Sequence, residues 1–421
     1  MHKALLILLI SILFSACASI SRGITEGVLN SKNQDLVDER ECNIRGTKFE
    51  GLDSSFNIQG KSPTLKVLMV HGIGEHLPGY STRMAENLAT ALNLNVGSAR
   101  FKEIDIVAGR FPNENLGKLR IDRYINQEES QEMLFYELTW SPIAKKEKDV
   151  LAYDNSGEQS FRRASINNTM KTYMNSHVSD PLIYLGPSQE KIQLSVITSI
   201  CWMMSRDWEE LDEHTQGQCV AEHTNYNKVL DDEFAFITHS MGSRIVTDSF
   251  QALIQYLDNE LQTNPNNQEL DYFVDYMQNK QIPIFMLANQ LPLLQLGHNI
   301  PEVTNQHEEY CMSDGENYDK RFFKELTVVA FSDPNDIVSY DVPPKFVDEY
   351  MDSRLCVNLI NITINIAHVK ELFGLGSFAN PGFAHRQYDN DERVVGIISQ
   401  GLHDQKIAAV VKERCEYQET R

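Results

Sequence analysis

The chain has 421 residues, with 38 Lys and Arg, 59 Asp and Glu, and a formal net charge of −21. Because 42% of its residues are apolar, it can bury a large core, which excludes wholesale disorder. A surface this acidic repels polyanions, so nucleic acid is excluded as a partner and neutral, zwitterionic or cationic partners are favoured.

The first residues have the pattern of an export signal. Met1-His2-Lys3 is a short basic leader, and the apolar run 4–14 is too short to span a bilayer. The run ends in F-S-A-C at Cys17, which resembles a bacterial lipoprotein signal. That resemblance implies removal of residues 1–16, acylation of Cys17 and, because Ala18 follows, sorting to the outer membrane. The alternative is an ordinary secretory signal in which Cys17 is incidental.

Six cysteines remain when Cys17 is set aside: Cys42, Cys201, Cys219, Cys311, Cys356 and Cys415. In an exported protein an even number permits up to three disulfides, and the sequence does not choose among the 15 possible pairings. There is no C-x-x-C pair and no Cys/His cluster, so we predict no zinc site.

Residues 17–60 are rich in Ser, Asn, Asp and Gly and are predicted to be a tether to the folded body. Short apolar runs then predict buried strands, and strict alternation near residue 360 predicts a half-exposed strand at or near a sheet edge. Helical spacing appears between these runs. The predicted strands are 64–70, 133–140, 234–238, 284–287, 326–331 and 360–366, and the predicted helices include 80–92, 242–261 and 391–400.

Strands that alternate with helical stretches indicate an α/β protein with a mostly parallel sheet flanked by helices. Residues 61–140 and 231–421 would form its core. His71 and Ser240 are 169 residues apart, more than two βα units require, so residues 141–230 are predicted to be a large helical cap inserted into this core. The aromatic and Met residues near this segment either line an acyl pocket or belong to the core: Trp140, Tyr184, Trp202, Met203 and Met204.

The sharpest motif is F-A-F-I-T-H-S-M-G-S, residues 234–243. The pattern S-x-G occurs four times in the chain, but only Ser240 follows an apolar strand and begins a helical segment. That context matches a nucleophile elbow, in which a tight turn projects the serine oxygen above the sheet. Gly242 supplies the small residue that such a turn needs, whereas Thr238 stands where G-x-S-x-G has glycine. The alternative is that Ser240 only caps a buried helix.

A second motif, V-L-M-V-H-G-I-G at residues 67–74, ends a strand in His71-Gly72. It resembles the oxyanion loop of the α/β-hydrolase fold, particularly lipases and esterases with the short H-G-x form. The resemblance implies that the backbone amides of Ile73 and Met241 form the oxyanion hole, while His71 braces the loop. Taken alone, H-G-I-G is also compatible with a simple glycine turn.

In this fold the acid and the histidine follow the nucleophile along the chain. Asp333 and Asp336 follow the strand 326–331, and the family's D-x-V context favours Asp336, since Asp333 precedes a proline and suits a turn. Three histidines come later: His368, His385 and His403. His385 lies in A-H-R-Q-Y, which resembles the catalytic-histidine loop of lipase-like hydrolases.

The sequence therefore predicts a serine hydrolase that cleaves carboxylic esters of small molecules or lipids, with Ser240 as nucleophile, His385 as base and Asp336 as orienting acid. This chemistry needs no metal or organic cofactor. The expected location is the bacterial cell envelope, with a lipid tether. Two alternatives remain: a peptidase, amidase or acyltransferase of the same fold, and an inactive hydrolase-like scaffold that serves as an envelope binding lipoprotein.

Overall fold

In the computed structural model the described residues are 41–56, 63–98, 100–155, 163–219, 231–371, 377–403 and 406–420. The predicted signal peptide 1–16, the lipidation site Cys17 and the first part of the predicted tether lie outside them.

The fold is α/β, with one mixed 12-stranded sheet flanked by helices. The strands are β1 (Cys42–Gly46), β2 (Thr64–Val70), β3 (Asn95–Val96), β4 (Lys102–Ile106), β5 (Lys118–Ile125), β6 (Glu132–Thr139), β7 (His214–Gly217), β8 (Glu233–His239), β9 (Gln281–Leu287), β10 (Glu325–Ser332), β11 (Val357–Ile364) and β14 (Cys415–Glu419). Their order is β14-β1-β11-β10-β9-β8-β2-β6-β5-β4-β7, and β3 pairs with β5. A separate ribbon consists of β12 (Lys370–Glu371) and β13 (Ser377–Phe378).

The prediction of a mostly parallel sheet is wrong for the sheet as a whole. Strands from β11 to β6 in that order are parallel, but β6, β5 and β4 form an antiparallel meander, and β1 runs antiparallel to β11. The β5 sequence K-L-R-I-D-R-Y-I alternates apolar and polar residues, as expected of a strand with one solvated face. That alternation was the signal for the antiparallel part.

The helices are α1 (Thr82–Ala91), α2 (Pro142–Ala152), α3 (Ser165–Tyr173), α4 (Ser179–Tyr184), α5 (Gln189–Ser205), α6 (Gly242–Thr263), α7 (Gln268–Met277), α8 (Leu291–Leu294), α9 (His307–Cys311), α10 (Phe346–Tyr350), α11 (Pro381–Arg386), α12 (Glu392–Gln400) and α13 (Ala409–Arg414). A π-helical turn, Met174–Val178, joins α3 to α4. Helices α5 and α6 pack on one face of the sheet, and α1 and α12 pack on the other. Along β2, Val67 and Leu68 face opposite cores, which explains its continuous apolar sequence.

All six predicted strands and the three predicted helices are present, with small differences at their ends. The predicted tether extends too far, because β1 (Cys42–Gly46) lies in the sheet between β11 and β14. The described part of the segment 141–230 consists mainly of helices, but it also contains β7, which pairs with β4. Its helix α5 packs into the main core, where the five aromatic and Met residues of the sequence analysis are buried: Trp140, Tyr184, Trp202, Met203 and Met204. They are core residues rather than the lining of an open pocket.

Three disulfides pair Cys42 with Cys415, Cys201 with Cys219, and Cys311 with Cys356. The first joins the neighbouring strands β1 and β14. Among the described residues, no helix combines the length and the apolar character that crossing a bilayer requires.

Candidate active site

The candidate residues meet where parallel strands end. His71, Ser240 and Asp333 each directly follow a strand, β2, β8 and β10 respectively. Because these strands are parallel and lie within the central part of the sheet, their carboxyl ends share one edge. This edge is the usual position of ligand sites in α/β sheets.

Ser240 occupies a strained turn between β8 and α6. Its φ of +57° lies in the left-handed region that non-glycine residues rarely adopt. Its N–H donates to the carbonyl of Leu287 (2.8 Å), and its own carbonyl accepts from the N–H and the hydroxyl of Ser243 (3.1 and 2.8 Å). The residue is only 1% exposed, and its Oγ forms no hydrogen bond with any described residue. The turn therefore fixes a serine whose hydroxyl has no structural task.

Two glycines allow the chain segments to approach at this turn. A Cβ on Gly72 would lie 2.5 Å from the Cβ of Ser240 and 2.9 Å from the backbone nitrogen of Met241. A Cβ on Gly242 would lie 2.4 Å from the carbonyl oxygen of Val70. Such distances are far below van der Waals contact, so both positions require glycine. The His71-Gly72 loop thus lies directly against the serine.

His71 is a fully buried brace. Its Nε2 accepts a hydrogen bond from the backbone N–H of Trp140 (3.2 Å), so Nδ1 carries the proton and donates to the carbonyl of Gly72 (2.8 Å). Burial lowers its pKa well below the ordinary 6.5, which keeps the ring neutral. Since the C=O and the next N–H of a trans peptide point in opposite directions, holding the Gly72 oxygen also fixes the direction of the Ile73 N–H.

The two predicted oxyanion donors are backbone amides adjacent in the chain to Ser240 and to Gly72, which packs against it. Met241 is the N-cap residue of α6 and its side chain is buried, while Ile73 follows Gly72 in the loop. Neither backbone N–H donates a hydrogen bond to a described residue. Backbone amides without an acceptor in the protein are the kind of donor that an oxyanion hole requires.

His385 and Asp336 form a close pair. Nδ1 of His385 donates to Oδ2 of Asp336 at 2.8 Å, and the aspartate side chain is 1% exposed against 17% for the histidine. The other aspartate oxygen accepts from the N–H of Val338 (3.1 Å). Asn380 caps helix α11, which carries His385 in its last turn. With Nδ1 donating, Nε2 of His385 is left as a proton acceptor.

Asp333 has a different task. Its carboxylate accepts from the backbone N–H groups of Ala367 (2.8 Å) and Asn335 (2.7 Å), so it fixes the loop after β10. Burial raises its pKa. Of the other two histidines, His368 is exposed, and His403 lies near Glu50, with 3.6 Å between Nε2 and a carboxylate oxygen. Neither is paired with Asp336.

His385 lies beside the elbow. Its backbone carbonyl accepts from Nε2 of His239 (2.7 Å), and the two imidazole rings are 4.9 Å apart between centroids. His239 directly precedes Ser240. The Ser240–His385 hydrogen bond of a working triad is not formed here, because the serine Oγ has no partner among the described residues. Such bonds are often long or poorly aligned before substrate binds.

The insertion places two residues against the oxyanion loop that no sequence pattern had indicated, His177 and Asp180. The ring of His177, in the π-helical turn, lies against Gly74 of the oxyanion loop: a Cβ on Gly74 would be 2.8 Å from it. Asp180 accepts from the Gly74 N–H at 2.6 Å. In the sequence, Asp180 looks like an ordinary acidic residue in the first turn of a helix, so no local pattern indicated this contact.

A cavity of about 710 Å³ lies at the opposite edge of the sheet, where Glu233, Gln281 and Glu325 begin β8, β9 and β10. It is separate from the candidate site. Among the described residues, no three His, Cys, Asp or Glu side chains are grouped to hold a metal ion.

No protein-family model, curated protein sequence or solved structure matches this chain.

Proposed function

We propose that the protein is a serine hydrolase of the α/β-hydrolase type that cleaves carboxylic esters. The observation that supports this best is the strained Ser240, with φ of +57° and an unused Oγ, packed against the His71-Gly72 loop. The His385–Asp336 pair, at 2.8 Å, adds an imidazole in helix α11 that is oriented by a carboxylate. The first oxyanion donor, the nucleophile, the acid and the histidine base follow one another along the chain, as in that fold: Ile73, Ser240, Asp336 and His385.

In this mechanism Ser240 Oγ attacks the acyl carbon while Nε2 of His385 takes its proton. Asp336 keeps the imidazole in the required tautomer and stabilises its cation. The amides of Ile73 and Met241 bind the oxyanion of the tetrahedral intermediate. The alcohol leaves with the proton from Nε2. Water then attacks the acyl-enzyme, gives a proton to His385 and releases the carboxylic acid, and Ser240 is restored.

The surroundings of the site favour an apolar acyl group. The loops that carry Ile73, Asp336 and His385 each expose a large apolar side chain: Leu77 is 79%, Ile337 76% and Phe383 47% exposed. Apolar side chains exposed on the segments that carry a site favour binding of apolar ligands. An ester with an aliphatic chain is therefore preferred over a peptide as the substrate class.

One observation favours the alternative of an inactive scaffold. Ser240 is 1% exposed and lacks its hydrogen bond to His385, so an ester can reach it only if the covering residues move.

A fluorophosphonate probe, which reacts with activated serines, distinguishes the two. We expect the purified protein without residues 1–17 to be labelled and Ser240→Ala to remain unlabelled. Ser243→Ala is a matched control, since its hydroxyl bonds the Ser240 carbonyl rather than a substrate. An unlabelled, folded wild-type protein would support the scaffold. Parallel panels of aliphatic esters and of peptide amides, measured on the same preparation, separate an esterase from a peptidase.

The envelope location is also part of the proposal. Its structural support is the set of three disulfides, which persist in oxidising compartments. Expressed in a bacterium that processes lipoproteins, the full chain should partition into detergent, whereas Cys17→Ser should stay in the aqueous phase. Aqueous partitioning of the unmodified chain would contradict a lipid tether.

A further inference from the structure

The peptide bond between Ile73 and Gly74 is held from both sides. Nε2 of His76 donates to the Ile73 carbonyl oxygen (3.2 Å), and the Gly74 N–H donates to Oδ2 of Asp180 (2.6 Å). His71 holds the preceding peptide through the Gly72 oxygen. The Gly72–Ile73 plane, which contains the Ile73 N–H, and the Ile73–Gly74 plane that follows it are therefore fixed by separate side chains, and the two planes meet at the Cα of Ile73.

Asp180 is the one of these side chains that belongs to the insertion. It lies in α4, is 1% exposed, and its second oxygen is 2.7 Å from Nζ of Lys148 in α2. Lys148 is 8% exposed and also donates to the Ser176 carbonyl (2.7 Å). Burying two charges costs free energy that their attraction only partly offsets. Here the other carboxylate oxygen of Asp180 accepts the hydrogen bond from the Gly74 N–H, which belongs to a distant segment of the chain.

The contact is confined to a narrow space. Gly74 has φ of +102°, and a Cβ there would collide with the ring of His177. At Gly74 the loop therefore meets the insertion through backbone atoms: the N–H donates to Asp180, and the ring of His177 lies against the glycine. His76 makes a second contact with the insertion, since its N–H donates to Oγ of Ser141 (3.3 Å). A small displacement of α4 is transmitted directly to the Ile73–Gly74 peptide.

We propose that Asp180, neutralised by Lys148, is a positioning residue that aims the Ile73 amide at the oxyanion. This inference rests on the proposed function of Ile73 and Ser240. It means that the helical insertion does more than cover the site: it sets the geometry of the oxyanion hole. Without Asp180, the Gly74 N–H loses its acceptor and the Ile73 amide is less well oriented. We expect stabilisation of the transition state to fall while substrate binding changes little.

The test compares two variants that both lack the buried charges. Lys148→Met with Asp180→Asn keeps an acceptor oxygen for Gly74, whereas Lys148→Met with Asp180→Leu removes it at similar volume. For hydrolysis of a short-chain aliphatic ester, we expect kcat of the Leu variant to be about 10- to 100-fold below that of the Asn variant. KM should differ less than about threefold. If Asp180 were important only for stability, the two variants would differ in melting temperature, and the fall in kcat at nearly unchanged KM would not be seen.

Asp180→Glu provides a second measurement if the Leu variant does not fold. It keeps the ion pair with Lys148 but displaces the carboxylate by one methylene, so a loss of kcat in a folded protein is again expected. Asp154→Asn is the matched control, because Asp154 pairs with Arg163 and Lys171 in the same insertion, away from the loop. Wild-type kcat in the folded Leu or Glu variant would overturn the inference. An unreactive wild type would instead overturn the proposed function.

Discussion

His239 donates a hydrogen bond from Nε2 to the backbone carbonyl oxygen of His385, 2.7 Å away. The residue before the proposed nucleophile thus holds the helix that carries the proposed base. Burial, reinforced by the nearby His385, lowers the pKa of His239 from 6.5 to about 3. The ring is therefore neutral at physiological pH and keeps the proton on Nε2 that this bond requires.

This pKa predicts acid sensitivity. The unfolded chain binds a proton at His239 near pH 6.5, whereas the folded protein binds it only near pH 3. Stability from this residue is therefore complete above pH 6.5 and is lost as the pH falls towards 3. The loss is about 1.4 kcal/mol per pH unit. His239→Gln keeps an N–H donor in place of Nε2 but cannot bind a proton. Between pH 7.5 and pH 5, we therefore expect the unfolding free energy of this variant to fall by about 2 kcal/mol less than that of the wild type.

Urea unfolding at a series of pH values measures this difference. His368→Gln is the control, because that side chain is exposed and should keep the wild-type pH dependence. Parallel curves for wild type and His239→Gln would contradict the predicted linkage.

The two aspartates after β10 should respond differently to the same substitution. Asp336→Asn removes the carboxylate that accepts from His385 Nδ1, so we expect kcat for ester hydrolysis to fall about 10³- to 10⁴-fold with little loss of stability. Asp333→Asn weakens the bonds to the Ala367 and Asn335 amides and should cost about 1–3 kcal/mol of unfolding free energy. Its kcat should stay within a few-fold of wild type. If Asp333→Asn instead lost kcat and Asp336→Asn lost mainly stability, Asp333 would be the triad acid.

The contact between Gly72 and Ser240 predicts that a single methyl group disables the site. In Gly72→Ala the new Cβ would lie 2.5 Å from the Ser240 Cβ and 2.7 Å from the His239 carbonyl oxygen, so the elbow or the loop must move. We expect fluorophosphonate labelling to slow more than about 100-fold, since misplacement by about 1 Å has that effect on catalysis. Gly217→Ala, which meets no atom within 4 Å, should be neutral. Normal labelling of Gly72→Ala would mean that this packing is not required.

The disulfides should differ in their contributions to stability. Cys42 and Cys415 are 373 residues apart, whereas Cys201 and Cys219 are 18 apart. In the loop-closure model, closing these loops is worth about 6 and about 3 kcal/mol. Replacing both cysteines of a pair with Ala should lower the unfolding free energy more for the first pair than for the second. Ester hydrolysis should persist without the first pair, since β1 and β14 are four and five strands away from β8, the strand that leads into Ser240. The opposite order in urea unfolding would contradict this ranking.

Much of the central sheet could be predicted because its strands are buried on both faces. Such strands read as continuous apolar runs, and the residues that end them, His71, Ser240 and Asp333, share an edge by parallel topology alone. The antiparallel meander of β4 and β5 was missed because its alternating residues carry many charges and offer no apolar run. Likewise, β1 lies in a polar segment, and only its pairing with β11 and β14 makes it a strand.

Local sequence determined the turn at Ser240, since the strand, the serine and Gly242 are neighbours in the chain and their steric needs are local. The local sequence also indicated Asp336 and His385 as candidates for the acid and the base. Only the tertiary structure decided that Asp336 rather than Asp333 pairs with His385, which cysteines are joined, and that Asp180 of the insertion holds the amide of Gly74. These contacts join residues that are far apart in the chain, and their existence depends on how helices and loops pack, which no local spacing records.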